Sequence, residues 1–394
     1  MIAFTFPGQG SQRAGMGAAW EHDPSWELVD EASAVAGRDV GRLLLHTPDD
    51  ELQETHNAQL ATFVLSLVAL DAVERIGIDA VAFAGHSLGE YTALVAAGVL
   101  SFEDGVRLVV ERGDAMRSAA DDVTGTMAAV LGLDDGKVVE ACAAEATPDV
   151  WVANFNGPGQ VVISGTPEGI DRCGLRLREL GAKRVLSLPV GGAFHSPLMS
   201  PAEERLRKAL RHVALRDSPQ PVIANVDARP HADGAGWGDR LAAQLVSPVR
   251  WRQSLHRLAD LGVSTIFELG PGAVLTGLAK RTLPDARVLS VNDPTHLDAV
   301  LSLLAAPGAG PVGYATEEGE HLHAVERVIV SPSPGVFVPA DSLVPGVIVP
   351  AGGEVGRVNG SPVYSPFSGT VIGVMAVGGE RLTPSQPIAW LRTA

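Results

Sequence analysis

The chain has 394 residues, 46% of them apolar and 19% charged, with a formal charge of −16 at pH 7. That length and apolar share suffice for two or three domains with buried cores, whereas the acidic balance argues against nucleic acid or an anionic membrane as partner, since both require a basic surface. Only two cysteines occur, Cys142 and Cys173, with no metal-like or redox-like neighbours, which argues against a disulfide framework or a zinc site and fits a reducing cytoplasm.

The start, Met1-Ile2-Ala3-Phe4-Thr5-Phe6-Pro7, lacks the positive flank and small-residue cleavage site of a signal peptide. No apolar run reaches the roughly 18 residues needed to span a membrane. Residues 2–6 predict a buried strand that ends in Pro7-Gly8-Gln9-Gly10-Ser11-Gln12. The glycines of that loop let backbone amides approach a ligand, or simply turn the chain. Helical segments follow, the clearest from Gln59 to Arg75, where Leu60, Phe63, Val64, Leu67, Val68 and Leu70 leave few polar positions and predict a helix packed inside.

The run Ala80-Val81-Ala82-Phe83-Ala84 then breaks at Gly85-His86-Ser87-Leu88-Gly89 and restarts as a helix. A G-x-S-x-G turn between strand and helix puts the serine at the apex, because the glycines remove the Cβ atoms that would collide where the chain reverses. Ser87 is therefore a candidate nucleophile, and the Leu88 amide, at the helix start, is one candidate donor for an oxyanion. In a chain with 44 glycines the five-residue pattern also arises by chance; the strand before it and the helix after it favour the functional reading.

Helices near 89–98 and 103–119 come next, the second opening on Glu103-Asp104 and carrying Arg112. From Thr126 the order is strand 127–133, helix 136–146, strands 150–155 and 160–164, helix 168–180 and strand 184–190. That β-α-β-β-α-β order predicts a ferredoxin-like subdomain, about 124–191, inserted into a larger α/β domain. After Val190-Gly191-Gly192-Ala193-Phe194-His195-Ser196 comes an arginine-rich helix, 201–212; strands at 222–226, 264–269 and 287–291 resume the larger domain, whose last helix ends near Ala305. Residues 306–325, rich in Gly, Pro and Glu, read as a linker. Residues 326–394 read as a separate β module. Ser331-Pro332-Ser333-Pro334-Gly335-Val336-Phe337 recurs as Ser365-Pro366-Phe367-Ser368-Gly369-Thr370-Val371, and Gly352-Gly353-Glu354 as Gly378-Gly379-Glu380, a two-fold repeat of short strands and turns.

An exposed serine needs a base. Of 11 histidines, His195 has the best local setting, a glycine-rich loop after a strand; His212 and His256 lie on helix surfaces, and His321 and His323 in the linker. A lone histidine is more often structural than catalytic, and the residues alone leave that choice open.

Five separated motifs carry a resemblance: Phe6-Pro7-Gly8-Gln9-Gly10-Ser11-Gln12, Gly85-His86-Ser87-Leu88-Gly89-Glu90, Glu111-Arg112-Gly113, Ala153-Asn154-Phe155-Asn156-Gly157-Pro158-Gly159-Gln160 and Gly192-Ala193-Phe194-His195-Ser196. In order and spacing they resemble the malonyl-CoA:acyl-carrier-protein transacylase family, and the likeness runs through Glu268-Leu269-Gly270-Pro271-Gly272 to cover residues 1–305. It implies an α/β fold with a larger hydrolase-like domain. It further implies transfer of malonyl from malonyl-CoA to the phosphopantetheine thiol of an acyl carrier protein, for fatty-acid or polyketide synthesis, with no bound cofactor or metal. Ser87 matches the nucleophile and His195 the base. The backbone carbonyl of Gln244 matches the group that orients the histidine, and the amides of Gln9 and Leu88 the oxyanion hole. Arg112 matches the arginine that grips the substrate carboxylate, bidentately as lysine could not. Gln59 matches a pocket glutamine, although Leu60 and Thr62 depart from its usual neighbours. Phe194 resembles the malonyl-selective form, its ring crowding the space of a 2-methyl branch, a contact worth about 1–3 kcal/mol of discrimination. An acidic carrier requires local positive charge, for which Arg205, Arg207, Lys208 and Arg211, with Lys183, Arg184, Lys280 and Arg281, are candidates.

Residues 326–394 resemble the biotinyl/lipoyl carrier domain, a barrel of two quasi-equivalent halves in which a hairpin presents a modified lysine. Arg357-Val358-Asn359-Gly360-Ser361 supplies the hairpin, but no lysine occurs after Lys280, so neither biotin nor lipoate is expected to be attached. The implied role is docking to a synthase or carboxylase partner. Two other functions compete: an acyl-thioester or ester hydrolase, including a patatin-like one using Asp233-Gly234-Ala235, and a non-catalytic scaffold. Hydrolysis gives no reason for Arg112, and the intact Ser87, His195 and Arg112 argue against a scaffold over residues 1–305.

Overall fold

Ile2–Phe6 is buried at every position, as its mostly apolar sequence suits a strand covered on both faces, and the Thr5 hydroxyl donates to the Phe267 carbonyl at 3.2 Å. The computed structural model describes residues 1–144, 149–305, 326–332, 334–382 and 386–392; the expected linker, 306–325, lies outside them. The chain divides into two compact units near residue 310.

The described strands of the first unit are β1 (Ile2–Phe6), β2 (Ala82–Gly85), β3 (Thr126–Leu131), β4 (Val150–Gly157), β5 (Gln160–Gly165), β6 (Arg184–Ser187), β7 (Val222–Ile223), β8 (Pro230–His231), β9 (Thr265–Leu269) and β10 (Arg287–Val291). Six form one sheet in the order β10-β9-β1-β2-β7-β8, parallel up to β7 and antiparallel at the β8 edge. The other four form a separate antiparallel sheet, β4-β5-β3-β6, covered by helices Asp135–Ala143 and Pro167–Glu179, with its own core around Val130, Val138, Ile163, Cys173 and Leu177. Expected and observed elements differ mainly at their ends. Strand 222–226 is only Val222–Ile223, because Ala224 and Asn225 leave the sheet to bond elsewhere. The strand expected at 184–190 stops at Ser187.

Helix Thr55–Arg75 is buried on all sides, packed against β9 and helix Phe102–Asp122. By length and composition it is long and apolar enough to cross a membrane, although 89% of its apolar window is buried inside the fold. Polar residues such as Gln59 and Ser66 interrupt its apolar run. Those residues face the interior, and Gln59 is put to use there.

Among its described residues, the second unit holds two four-stranded antiparallel sheets. Gly335–Pro339 lies in one and its repeat partner Gly369–Val374 in the other, around a core of Phe337, Val355, Val371, Ile388 and Leu391. Ser331 and Ser365, equivalent in the repeat, are both buried. Glu354–Val358 pairs with Ser361–Tyr364 across the Asn359-Gly360 turn, where both residues have positive φ, 50° and 81°.

Candidate active site

β1 and β2 run side by side with Phe6 opposite Gly85, so the loops leaving their C-terminal ends emerge together. One carries Gln9, the other Ser87. The chain reverses within Gly85-His86-Ser87-Leu88-Gly89, and both glycines are required by space: a Cβ on Gly85 would lie 1.8 Å from the Gly89 carbonyl oxygen, and one on Gly89 would lie 2.1 Å from that of Phe6. Ser87 takes φ 53°, a left-handed conformation costing about 1–3 kcal/mol for a non-glycine residue. Asn225 holds it there. Its Oδ1 accepts from Ser87 N at 2.8 Å and its Nδ2 donates to Gly85 O at 2.7 Å, spanning the turn from both sides. Leu88 is the N-cap of helix Gly89–Ala96, where backbone amides lack helical acceptors.

His195 comes from the loop that follows β6 and is itself at φ 58°. Its Nε2 lies 2.7 Å from Ser87 Oγ and its Nδ1 2.8 Å from the backbone carbonyl of Gln244, at the end of helix Trp237–Gln244. A carbonyl can only accept, so Nδ1 carries the proton and Nε2 presents a lone pair to the serine hydroxyl. Burial, reinforced by the positive charge of Arg112, holds the His195 pKa down at about 3, and the ring is neutral at neutral pH. Phe194, just before it, is buried against Gly192.

Arg112 is 1% exposed, on the inner face of helix Phe102–Asp122. Its Nη1 donates to Gln59 Oε1 at 2.6 Å, and its Nη2 to Ser87 Oγ and Gln244 Oε1, both at 3.0 Å; the Tyr91 ring lies 5.5 Å beneath the guanidinium carbon. Every one of these partners is neutral. Burial pushes the guanidinium pKa down, yet an arginine stays charged in a protein, so the pocket holds a desolvated cation bonded only to neutral oxygens. Ser87, His195, Arg112, Gln59 and Gln244 thus meet in one place. Asp233, the alternative acid, pairs instead with Arg240 at 3.7 Å.

Sequence reading missed three groups. Asn225 ties the serine turn; Glu90, buried beneath it, accepts from Asn225 N and Gln244 Nε2, both at 2.6 Å; Asn156 bonds His86 at 2.8 Å, linking the second sheet to the turn. Glu90 and Asn156 lay inside quoted motifs, but only long-range contacts assign them partners. Of the candidate basic rim, Arg205 pairs with Glu111 at 2.6 Å and Arg207 with both Glu203 and Asp239, in part-exposed surface pairs.

Residues 3–300 match the model of the acyl transferase domain family. The malonyl CoA-acyl carrier protein transacylase of Escherichia coli K12 is 42% identical over 308 residues, 77% of this chain and 99% of that protein. Among solved structures, an acyl carrier protein S-malonyltransferase from Vibrio cholerae superposes with a TM-score of 0.73 at 40% identity, over 76% of this chain and 99% of that one. A malonyl-transacylase solved in complex with its type II polyketide acyl-carrier protein gives 0.74 at 38%, over 77% and 99%. With a strained serine turn, a buried histidine and a desolvated arginine in one pocket of an α/β fold, and with these matches across its first three-quarters, the chain belongs to the acyl transferase family of malonyl CoA-acyl carrier protein transacylases.

Proposed function

We propose that this chain transfers a malonyl group from malonyl-CoA to the phosphopantetheine thiol of an acyl carrier protein, through an ester on Ser87. The observation that carries the acid-tailed substrate is the Arg112 cation, buried beside Ser87 with only neutral partners. A carboxylate of the right length supplies the missing counter-charge, which a hydrolase of neutral esters would never use. Gln59 holds the guanidinium in plane, and Phe194 limits the room for a branch on the acyl chain.

In the first half-reaction Ser87 Oγ attacks the thioester carbon while its proton passes to His195 Nε2. The amides of Gln9 and Leu88 receive the negative charge on the carbonyl oxygen. The C–S bond breaks and coenzyme A leaves with the proton from His195. The carrier thiol then gives its proton to the same nitrogen, its sulfur attacks the ester carbon, and Ser87 Oγ departs reprotonated. Gln244, through its carbonyl, keeps the histidine in the required tautomer. A malonyl carboxylate on Arg112 also cancels the charge that opposes protonation of His195, so the base gains strength when the right substrate is seated.

The four-stranded sheet β4-β5-β3-β6 is a ferredoxin-like subdomain within a hydrolase-like α/β domain; 326–394 is a biotinyl/lipoyl-like barrel that has lost its lysine and serves as a docking module for a synthase or carboxylase partner. No biotin, lipoate or other cofactor takes part, and the setting is the cytoplasm. The test is incubation of the full chain with malonyl-CoA and then holo carrier protein, read by intact mass. A malonyl adduct that the carrier discharges, lost in Ser87→Ala, supports the reading; no adduct, or one that only water discharges, overturns it.

A further inference from the structure

Glu90, in the first turn of helix Gly89–Ala96, has no part in the transfer reaction as written, yet it is 1% exposed. Burying a carboxyl is costly unless its oxygens are paired, so packing alone does not account for a glutamate here. Both oxygens are used. Oε1 accepts from the backbone of Asn225 and Oε2 from the side chain of Gln244, each at 2.6 Å.

The second bond sets a direction. A glutamine amide has a donor end and an acceptor end. With Gln244 Nε2 serving both Glu90 and Ser87 O, the latter at 2.8 Å, its Oε1 is left to accept from Arg112. Turned by half a revolution, the amide would set its oxygen against a carboxyl and a carbonyl, and its N–H groups against a guanidinium. Glu90 therefore dictates which end of Gln244 meets Arg112, and the same residue's backbone carbonyl holds His195. On the other side, the Asn225 whose amide Glu90 fixes is the residue that spans the strained serine turn.

We propose that Glu90 is a positioning residue for acyl transfer, which through Gln244 and Asn225 holds Ser87, His195 and Arg112 in one mutual geometry. This rests on the reading of Ser87 as nucleophile and His195 as base. The groups facing Glu90 are Arg112 from helix Phe102–Asp122, which favours the carboxylate, Asp227 from the loop after β7, which opposes it, the neighbouring Tyr91 on its own helix, and the donors of Asn225 and Gln244. Burial prevails and pushes the carboxyl up to about 8. N–H bonds to a carboxylate are roughly twice as strong as those to a neutral acceptor, so the arrangement tightens as Glu90 ionises. Acylation by malonyl-CoA accordingly quickens as pH rises through that range, whereas His195, already neutral, adds no titration there.

The test is rapid-quench acylation of the full chain by malonyl-CoA, with Glu90→Gln, Gln244→Leu and the double variant. Glu90→Gln keeps the shape but sets an N–H against one of the two donors. The account expects its acylation rate constant to fall about 10–100-fold, its KM to change less than about threefold, and the rise with pH to vanish. Because both changes break one link, the double variant is expected to stay within about threefold of Gln244→Leu alone. Glu90→Gln acylating within about twofold of the unaltered chain, or losses that multiply in the double variant, overturns the proposal. Should Glu90→Gln fail to fold, Gln244→Leu, which retains Glu90 and the backbone carbonyl, decides alone: an unchanged pH rise contradicts the proposal and its loss supports it. Absence of any Ser87 adduct in the unaltered chain overturns the nucleophile reading and this proposal with it, whereas an adduct indifferent to Glu90 overturns this proposal only.

Discussion

Two turns, one in each unit, place a non-glycine residue at almost the same left-handed φ: Ser87 at 53° and Asn359 at 50°. Asn359 is a residue that tolerates this conformation, and its own side chain ties the turn to a segment 23 and 25 positions earlier, accepting from Val336 N at 2.9 Å and donating to Pro334 O at 3.2 Å. Ser87 is not such a residue, and it is held from 138 positions away by Asn225. Asn359 thus anchors its turn with its own side chain. Ser87 is anchored by another residue's side chain, which leaves its own hydroxyl available for the proposed chemistry. On the proposed carrier-like reading of residues 326–394, the second turn is the one that would present a lysine, and Asn359-Gly360 stands there instead.

The comparison is broken most severely at Gly85. A Cβ there would lie 1.8 Å from backbone, with no flexible side chain to give way, so Gly85→Ala is expected to cut malonyl adduct formation by about a thousandfold or more, or to unfold the first unit, read by intact mass and circular dichroism. A variant that folds and acylates normally would show that the turn is not held as described. Phe194→Ser leaves the turn alone and alters only what Ser87 accepts. The preference for malonyl-CoA over methylmalonyl-CoA should fall by about 10–200-fold in paired kcat/KM measurements. Smallest is Asn359→Ala, which removes the side chain that ties the turn to Val336 and Pro334: about 1–2 kcal/mol lost in the unfolding of the tail, with transfer to a free carrier unchanged. A drop in transfer would mean that the second unit takes part in catalysis.

Much of this site could be read from residues in a row. Ser87 sits in a five-residue pattern, Arg112 and His195 in short motifs, and their common family carried each into place along with Gln244. The strands that position them were legible because Ile2–Phe6 and Thr265–Leu269 are mostly apolar, with Thr5, Thr265 and Glu268 the exceptions. Glu90 and Asn225 were not, since one looks like a helix-start acid and the other ends a strand; their meaning is a bond 135 positions apart in sequence. The same holds for Arg205 and Arg207. On a helical wheel they are exposed positive charges, and only the packing of their helix against Glu111 and Asp239 shows that they are paired.

The central claim is that a buried cation hydrogen-bonded only to neutral groups chooses the acyl group, and one measurement reaches it directly: the rates at which malonyl-CoA and acetyl-CoA acylate the full chain and Arg112→Ala. Losing a bidentate, charge-assisted pair of roughly 3–4 kcal/mol should lower malonyl acylation by about 10²–10³-fold and acetyl acylation far less. Equal losses for both thioesters, or a variant that still prefers malonyl, would contradict the account.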